Sequence, residues 1–119
     1  MGLTVTKHGT VHVLHMSGPL KTGPVLDEFA REFDRLVTAG YSKFVLVMSE
    51  VPHIDSNGVG MLVRVYSASR NRAGGVRLVN PTSGAIDVMK TVCLWNLFEI
   101  SDSEEAAIAA LAPKTAAKV

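Results

Sequence analysis

Two adjoining stretches decide the fold: Lys43-Phe44-Val45-Leu46-Val47-Met48, then Val51-Pro52-His53-Ile54-Asp55-Ser56-Asn57-Gly58-Val59-Gly60. The first is a short, almost wholly apolar run, which predicts a strand buried on both faces beneath covering helices. The second predicts a turn at 55–58 that leads from this strand into a helix. In open α/β sheets function usually gathers at such strand-to-helix turns, so we expect the working surface of the protein there.

Outward from this strand, the apolar spacing alternates between the periods of strands and helices. Glycines at 9, 40, 74 and 75 mark several of the breaks between these segments. We predict strands at 3–7, 11–16, 43–48, 76–79 and 98–100. Helices are predicted over 25–37, from about Gly58 to Arg72, around 86–92, and after a capping box over Ser101–Glu104. The residues predicted to face inward are Val59, Leu62, Val63 and Tyr66 in the second helix, Ile86, Met89 and Val92 in the third, and Ile108 and Leu111 in the last.

The resulting order is β-β-α-β-α-β-α-β-α. Alternating helices and buried strands imply a single α/β domain with a mixed, mostly parallel sheet and helices packed on it. The first hairpin supplies the antiparallel part. We expect the domain to occupy residues 1–112 and the small, polar and basic residues 113–119 to form a flexible tail.

Composition excludes several function classes. The chain has 119 residues, 47% of them hydrophobic, which suits one domain with a core of its own. Its 12 basic and 11 acidic residues give a net charge of +1, and only 6% of residues are aromatic. Neither figure favours nucleic-acid binding.

The start of the chain and its single cysteine bear on location. Residues 1–7 lack the charged start and long apolar core of a signal peptide. Cys93 is the only cysteine, which suits a reducing compartment. The apolar runs are far shorter than the roughly 20 residues of a membrane helix. We therefore expect a cytoplasmic protein that does not insert into a membrane.

Ser56 has two interpretations from position alone. It can act as an N-cap, with its hydroxyl accepting a bond from a free amide of the first helical turn. It can instead carry a modification, because a phosphate there would meet the unpaired N–H groups of that turn. Asp55 is equally suited to capping, and Gly58 and Gly60 permit a close backbone approach.

Metal binding and hydrolysis are weakly supported. His8, His12, His15 and His53 have no nearby cysteine or helical His-x-x-x-His pair, and His12 and His15 point to opposite faces of one strand. His53, Asp55 and Ser56 are too close in sequence for the geometry of a nucleophilic triad. No phosphate-binding glycine loop is present. We predict no metal, no cofactor and no enzymatic activity.

The stretch from Val51 to Gly60 resembles the hallmark motif of STAS domains, the family of bacterial anti-sigma-factor antagonists and sulphate-transporter tails. The resemblance continues through Gly74–Pro81, 88–97 and Ser101–Ala106, and so covers nearly the whole chain in order. It implies a protein that binds an anti-sigma factor, itself a serine kinase, and thereby frees a sigma factor for transcription.

The resemblance also implies a switch. Phosphorylation by the kinase of the serine that follows the motif aspartate, here Ser56, releases the partner, and a phosphatase restores binding. The resemblance places the partner-binding surface at His53, Asp55, Ser56, Asn57, Gly58, Gly60 and Lys21. His53 stands where the family has an apolar aromatic residue, so we expect it to be partly buried.

Three positions depart from the family pattern. Val47 and Lys21 each replace an acid that lies near the modified serine in the family, and Asn57 replaces a second serine or threonine. The loss of the two acids leaves the site less acidic than usual. It favours an alternative hypothesis, in which the domain is a non-switching STAS subunit such as a signalling scaffold or a lipid-transporter component.

Overall fold

The computed structural model describes residues 2–72 and 74–111, and the tail predicted at 113–119 lies outside them. The predicted order of helices and strands is confirmed. The elements are β1 (Gly2–His8), β2 (Val11–Ser17), α1 (Pro24–Thr38), β3 (Lys43–Glu50), α2 (Ser56–Asn71), β4 (Gly75–Val79), α3 (Ser83–Thr91), a 3₁₀ turn (Trp95–Leu97), β5 (Glu99–Ser101) and α4 (Glu104–Leu111). Within the described ranges, no helix is both long and apolar enough to cross a membrane.

The five strands form one sheet in the order β1-β2-β3-β4-β5. β1 and β2 pair in antiparallel fashion, and the remaining neighbours pair in parallel. The mixed, mostly parallel sheet that the sequence predicts is therefore present. β3 lies at its centre, which explains why five successive residues from Phe44 to Met48 are buried.

The two faces of the sheet carry separate apolar clusters. Alternate strand residues such as Leu14 and Phe44 pack with α1, α2 and α3, whose buried side chains include Phe29, Leu62 and Met89. The intervening strand residues form a smaller cluster with Ala107 of α4. Three helices thus cover one face, and α4 covers part of the other.

Two helices are rotated relative to their predicted inner faces. α2 buries Gly58, Met61, Leu62, Val65 and Ser69, whereas Val63 is 37% exposed. Apolar residues surround the first half of this helix, so the sequence leaves its rotation undetermined. α3 buries Ala85 and Met89 and leaves Val92 exposed at its end.

The start of α4 also differs from the prediction. Ser101 is the last residue of β5 rather than a helix cap. The Ser103 hydroxyl accepts a hydrogen bond from the Ala106 N–H at 3.1 Å, so Ser103 caps the helix. β5 begins at Glu99 instead of Phe98, and the segment therefore runs one residue later than predicted.

His12 is buried without a polar partner. It is 4% exposed, and its Nδ1 has no hydrogen-bond partner among the described residues. Its ring lies 4.3 Å from the Tyr41 ring, and Phe44 is its pairing partner on β3. Burial lowers the pKa of His12, and the positive charges of Lys7 and Arg35 lower it further.

We therefore expect stability to fall as the pH drops below the usual histidine range. Because the folded pKa is lowered, the unfolded chain binds the proton more readily, and stability is complete only above about pH 6.5. Urea unfolding measures the free energy of unfolding at each pH. Between pH 7.5 and 5.5, this free energy should fall less for His12→Phe than for the wild type. His8→Gln, at an exposed position away from the turn at 55–58, is the control and should behave like the wild type. Equal losses in all three proteins would contradict this role of His12.

Candidate partner-binding site

Asp55 is the N-cap of the helix that follows the turn at 55–58. Its backbone is extended, and its Oδ1 accepts a hydrogen bond from the Gly58 N–H at 2.9 Å. α2 therefore begins at Ser56, two residues earlier than predicted. Of the two residues suited to capping, Asp55 occupies the N-cap position, so the interpretation of Ser56 as the cap is wrong.

Ser56 is consequently the first residue of the helix, and it is exposed. Its hydroxyl is not the capping oxygen of α2. A group attached to Ser56 would project from the helix start without displacing the cap.

A second loop packs along the turn. Leu20 pairs with Ile54 as an isolated parallel bridge. The Leu20 N–H donates to the His53 carbonyl oxygen at 3.0 Å, and the Asp55 N–H donates to the Leu20 carbonyl oxygen at 3.0 Å. We call residues 19–24 and 53–58 together the paired-loop surface.

Side chains strengthen this pairing. The Thr22 N–H donates to Asp55 Oδ2 at 3.2 Å, and the Asn57 side-chain amide donates to the Thr22 hydroxyl. Asp55 therefore holds the helix start with one oxygen and the neighbouring loop with the other. Its bond from the Gly58 N–H is the main cause that lowers the Asp55 pKa, with further contributions from Thr22, Asn57 and the charge of His53.

Gly58 makes the close approach of the two loops possible. A Cβ at this position would lie 2.2 Å from the Leu20 carbonyl oxygen and 2.6 Å from Ile54 Cγ2. Gly60 is different, since nothing lies within 4 Å of its Cβ position and the residue is exposed. Only the first of these glycines is required by the packing of the domain itself.

The start of α3 packs against the segment that leads into the turn. The Thr82 hydroxyl donates to the Val51 carbonyl oxygen at 2.7 Å and accepts from the Ala85 N–H at 3.2 Å. A Cβ on Gly84 would lie 2.2 Å from the Pro52 carbonyl oxygen, so the start of α3 lies directly against the turn. The turn is thus fixed on two sides.

The structure brings most of the predicted site residues together. Asp55, Ser56, Asn57 and Gly58 form the start of α2, and Lys21 lies in the loop bonded to it. His53 is exposed, so the expectation of partial burial is wrong; its neighbour Ile54 takes the buried position instead. Sequence reasoning missed Leu20, Thr22 and Thr82, whose contacts join segments about thirty residues apart.

Val47 does not belong to this surface. It lies in the apolar cluster under α4, on the face of the sheet opposite α2. Of the two positions where an acid is replaced, Lys21 alone borders the decisive turn.

No group of three or more His, Cys, Asp or Glu residues within 2–72 and 74–111 is placed to hold a metal ion. His15 instead contacts Glu104 of α4 at 3.0 Å, while His12 points to the other face of the sheet, as their spacing predicts.

Comparison with known proteins gives consistent results. The STAS domain family model matches residues 3–107. A Thermotoga maritima protein named as a candidate anti-sigma factor antagonist is 31% identical over 71 residues, which cover 60% of this chain and 63% of that protein. A Thermotoga neapolitana homologue matches equally well. The chain thus spans less than two thirds of the length of these relatives.

Solved structures extend the match over most of the fold. The crystal structure of the Thermotoga maritima candidate has a TM-score of 0.76 at 24% identity and covers 92% of this chain and 93% of its own. The anti-sigma factor antagonist SpoIIAA has a TM-score of 0.78 at 17% identity in its unphosphorylated form, with 92% and 96% covered. Phosphorylated SpoIIAA from Bacillus has a TM-score of 0.75 at 18% identity, with 93% and 100% covered.

At these identities the structural likeness establishes the fold, and the family model, which spans β1 to α4, confirms the predicted resemblance. The chain belongs to the STAS domain family and has the fold of its anti-sigma factor antagonists.

Proposed function

We propose that this protein is an anti-sigma factor antagonist, which binds an anti-sigma factor through the paired-loop surface and is released by phosphorylation of Ser56. The partner is an anti-sigma factor with serine kinase activity, and a serine phosphatase reverses the modification. Such a partner controls sigma-dependent transcription. In this proposal the protein acts in the cytoplasm, and it works as a regulatory binding module rather than as an enzyme.

The observation that carries this proposal is the position of Ser56. It is exposed at the first residue of α2, beside a cap that does not depend on it. The structural neighbour SpoIIAA exists in unphosphorylated and phosphorylated forms. This fold therefore accommodates both states in that protein, which supports a phosphorylation switch in this one.

The physical effect of the modification is large. A phosphoserine adds about −1.5 to −2 charges at neutral pH. Within a close interface, that charge is repelled by acidic groups and is costly to remove from water when it is unpaired. A change of about 3 kcal/mol would alter the affinity more than a hundredfold.

We expect Ser56→Asp to bind the anti-sigma factor at least tenfold more weakly than the wild type. The wild type and Ser56→Asp are used side by side in pull-downs, and captured proteins are identified by mass spectrometry. Ser67→Asp, an exposed serine further along α2, is the matched control and should retain binding. Incubation of the captured kinase with ATP should phosphorylate the wild type at Ser56 and leave Ser56→Ala unmodified.

Two outcomes would contradict the switch. Modification at another residue would remove Ser56 from its role. Equal binding by wild type and Ser56→Asp, with a transporter or a large assembly as the captured partner, would favour the alternative of a non-switching STAS subunit. The feature that favours this alternative is Lys21, which stands beside the turn where the family has an acid.

A further inference from the structure

We propose that Lys21 is the charge contact of the paired-loop surface. It pairs with an acidic group of the anti-sigma factor while Ser56 is unmodified, and with the phosphate once Ser56 is phosphorylated. This inference rests on the proposed function and specifies which partner chemistry the site accepts.

The backbone around Lys21 is held firmly against the turn. The preceding residue, Leu20, is fully buried, and both its N–H and its carbonyl oxygen are hydrogen-bonded to the 53–55 segment. Thr22 after it is bonded through its N–H to Asp55 and through its hydroxyl to Asn57. Lys21 therefore starts from a fixed position beside the first turn of α2, while its own side chain is exposed.

Lys21 forms no ion pair with another described residue. The ion pairs within residues 2–72 and 74–111 join His15 to Glu104, Glu32 to Arg35, Asp34 to Arg64, and Arg77 to Glu99. Lys21 is in none of them.

The nearest site acid is also occupied. Asp55 Oδ1 accepts from the Gly58 N–H, and its Oδ2 accepts from the Thr22 N–H. Because both Asp55 oxygens are directed into the loop pairing, the exposed Lys21 is the charged group that this surface presents to a partner. Complementarity requires an acidic group on the facing surface of the anti-sigma factor.

Lys21 is also within reach of Ser56. The Thr22 hydroxyl that follows Lys21 contacts Asn57, which is the neighbour of Ser56 in the chain. On the other side of both residues, the Leu20 carbonyl oxygen accepts from the Asp55 N–H at 3.0 Å, so bonded neighbours flank Lys21 and Ser56. The flexible four-carbon stem of a lysine lets its ammonium turn toward a phosphate on Ser56. A phosphate on Ser56 would therefore take the place of the partner's acidic group at Lys21 and repel that group as well.

A titration that needs no partner tests the second pairing. Phosphoserine is incorporated at position 56 during translation, and the phosphate is followed by phosphorus-31 NMR across its second pKa near 6. We expect Lys21→Gln to raise the phosphate pKa by about 0.5 units, because a nearby positive charge favours the dianion. Arg72→Gln, at the opposite end of α2, is the charge-loss control and should leave it unchanged. Equal values for wild type and Lys21→Gln would overturn this pairing.

Binding of the captured anti-sigma factor tests the first pairing. We expect Lys21→Glu to weaken binding at least tenfold, Lys21→Arg to retain it, and Arg72→Glu to stay within about twofold of the wild type. If Lys21→Glu binds the anti-sigma factor as tightly as the wild type does, the inference is overturned and the proposed function is left intact. Absence of wild-type binding would contradict the proposed function instead, and the phosphorus titration would still decide whether Lys21 faces the phosphate.

Discussion

Gly58→Ala is expected to lower the free energy of unfolding by about 2–4 kcal/mol, because the added methyl group has no room. Its carbon would lie 2.2 Å from the Leu20 carbonyl oxygen. That oxygen cannot simply withdraw, since it accepts the hydrogen bond from the Asp55 N–H that joins the two loops. The clash must therefore separate the paired-loop surface or displace the start of α2.

Gly60→Ala is the matched control, two residues further along the same helix. No atom lies within 4 Å of its Cβ position. Alanine is favoured over glycine in helices, so this variant should be more stable than the wild type by about 0.5–1 kcal/mol. Urea unfolding monitored by circular dichroism measures both variants. Stabilities of Gly58→Ala and Gly60→Ala that change in the same direction would show that the close approach at Gly58 is not a constraint.

Leu20→Ala is expected to cost about 2–5 kcal/mol, the usual range for removing a buried leucine side chain. Leu20 is fully buried although it lies in a loop, and it belongs to the main apolar cluster under α1, α2 and α3. Its removal should also loosen the neighbouring Thr22, so the Thr22 amide should exchange its hydrogen faster.

Leu97→Ala is the control for Leu20→Ala, because Leu97 is 40% exposed. We expect it to cost at most about 1 kcal/mol and to leave the exchange of Thr22 unchanged. Unfolding in urea and amide exchange followed by NMR provide the two readouts. Similar losses for the two leucine variants would contradict the view that Leu20 anchors the paired-loop surface.

The order of strands and helices could be predicted because apolar spacing and glycine breaks are local signals. The rotation of α2 could not. Val59, Leu62 and Val63 look like one stripe, yet Met61 and Val65 are buried while Val63 faces solvent. With apolar residues around the first half of the helix, only its packing against the sheet decides which side turns inward.

The turn at 55–58 was predictable in position but not in its internal contacts. Asp55 and Ser56 are both good capping residues, and only the extended backbone at Asp55 shows which one is used. Thr22 contacts Asp55 and Asn57 across more than thirty residues of chain, a separation that no local pattern encodes. The role proposed for Lys21 rests on those contacts, since they place its loop beside the turn.

The strand order has a consequence for how the protein is made. Each strand joins the edge of the strand synthesised just before it, so no strand has to be inserted between two earlier ones. Domains assemble from the N-terminus during synthesis, and mainly local pairing speeds folding. Both halves of the paired-loop surface precede β4, so the ribosome synthesises them before β5 and α4, and α3 packs against the turn only later.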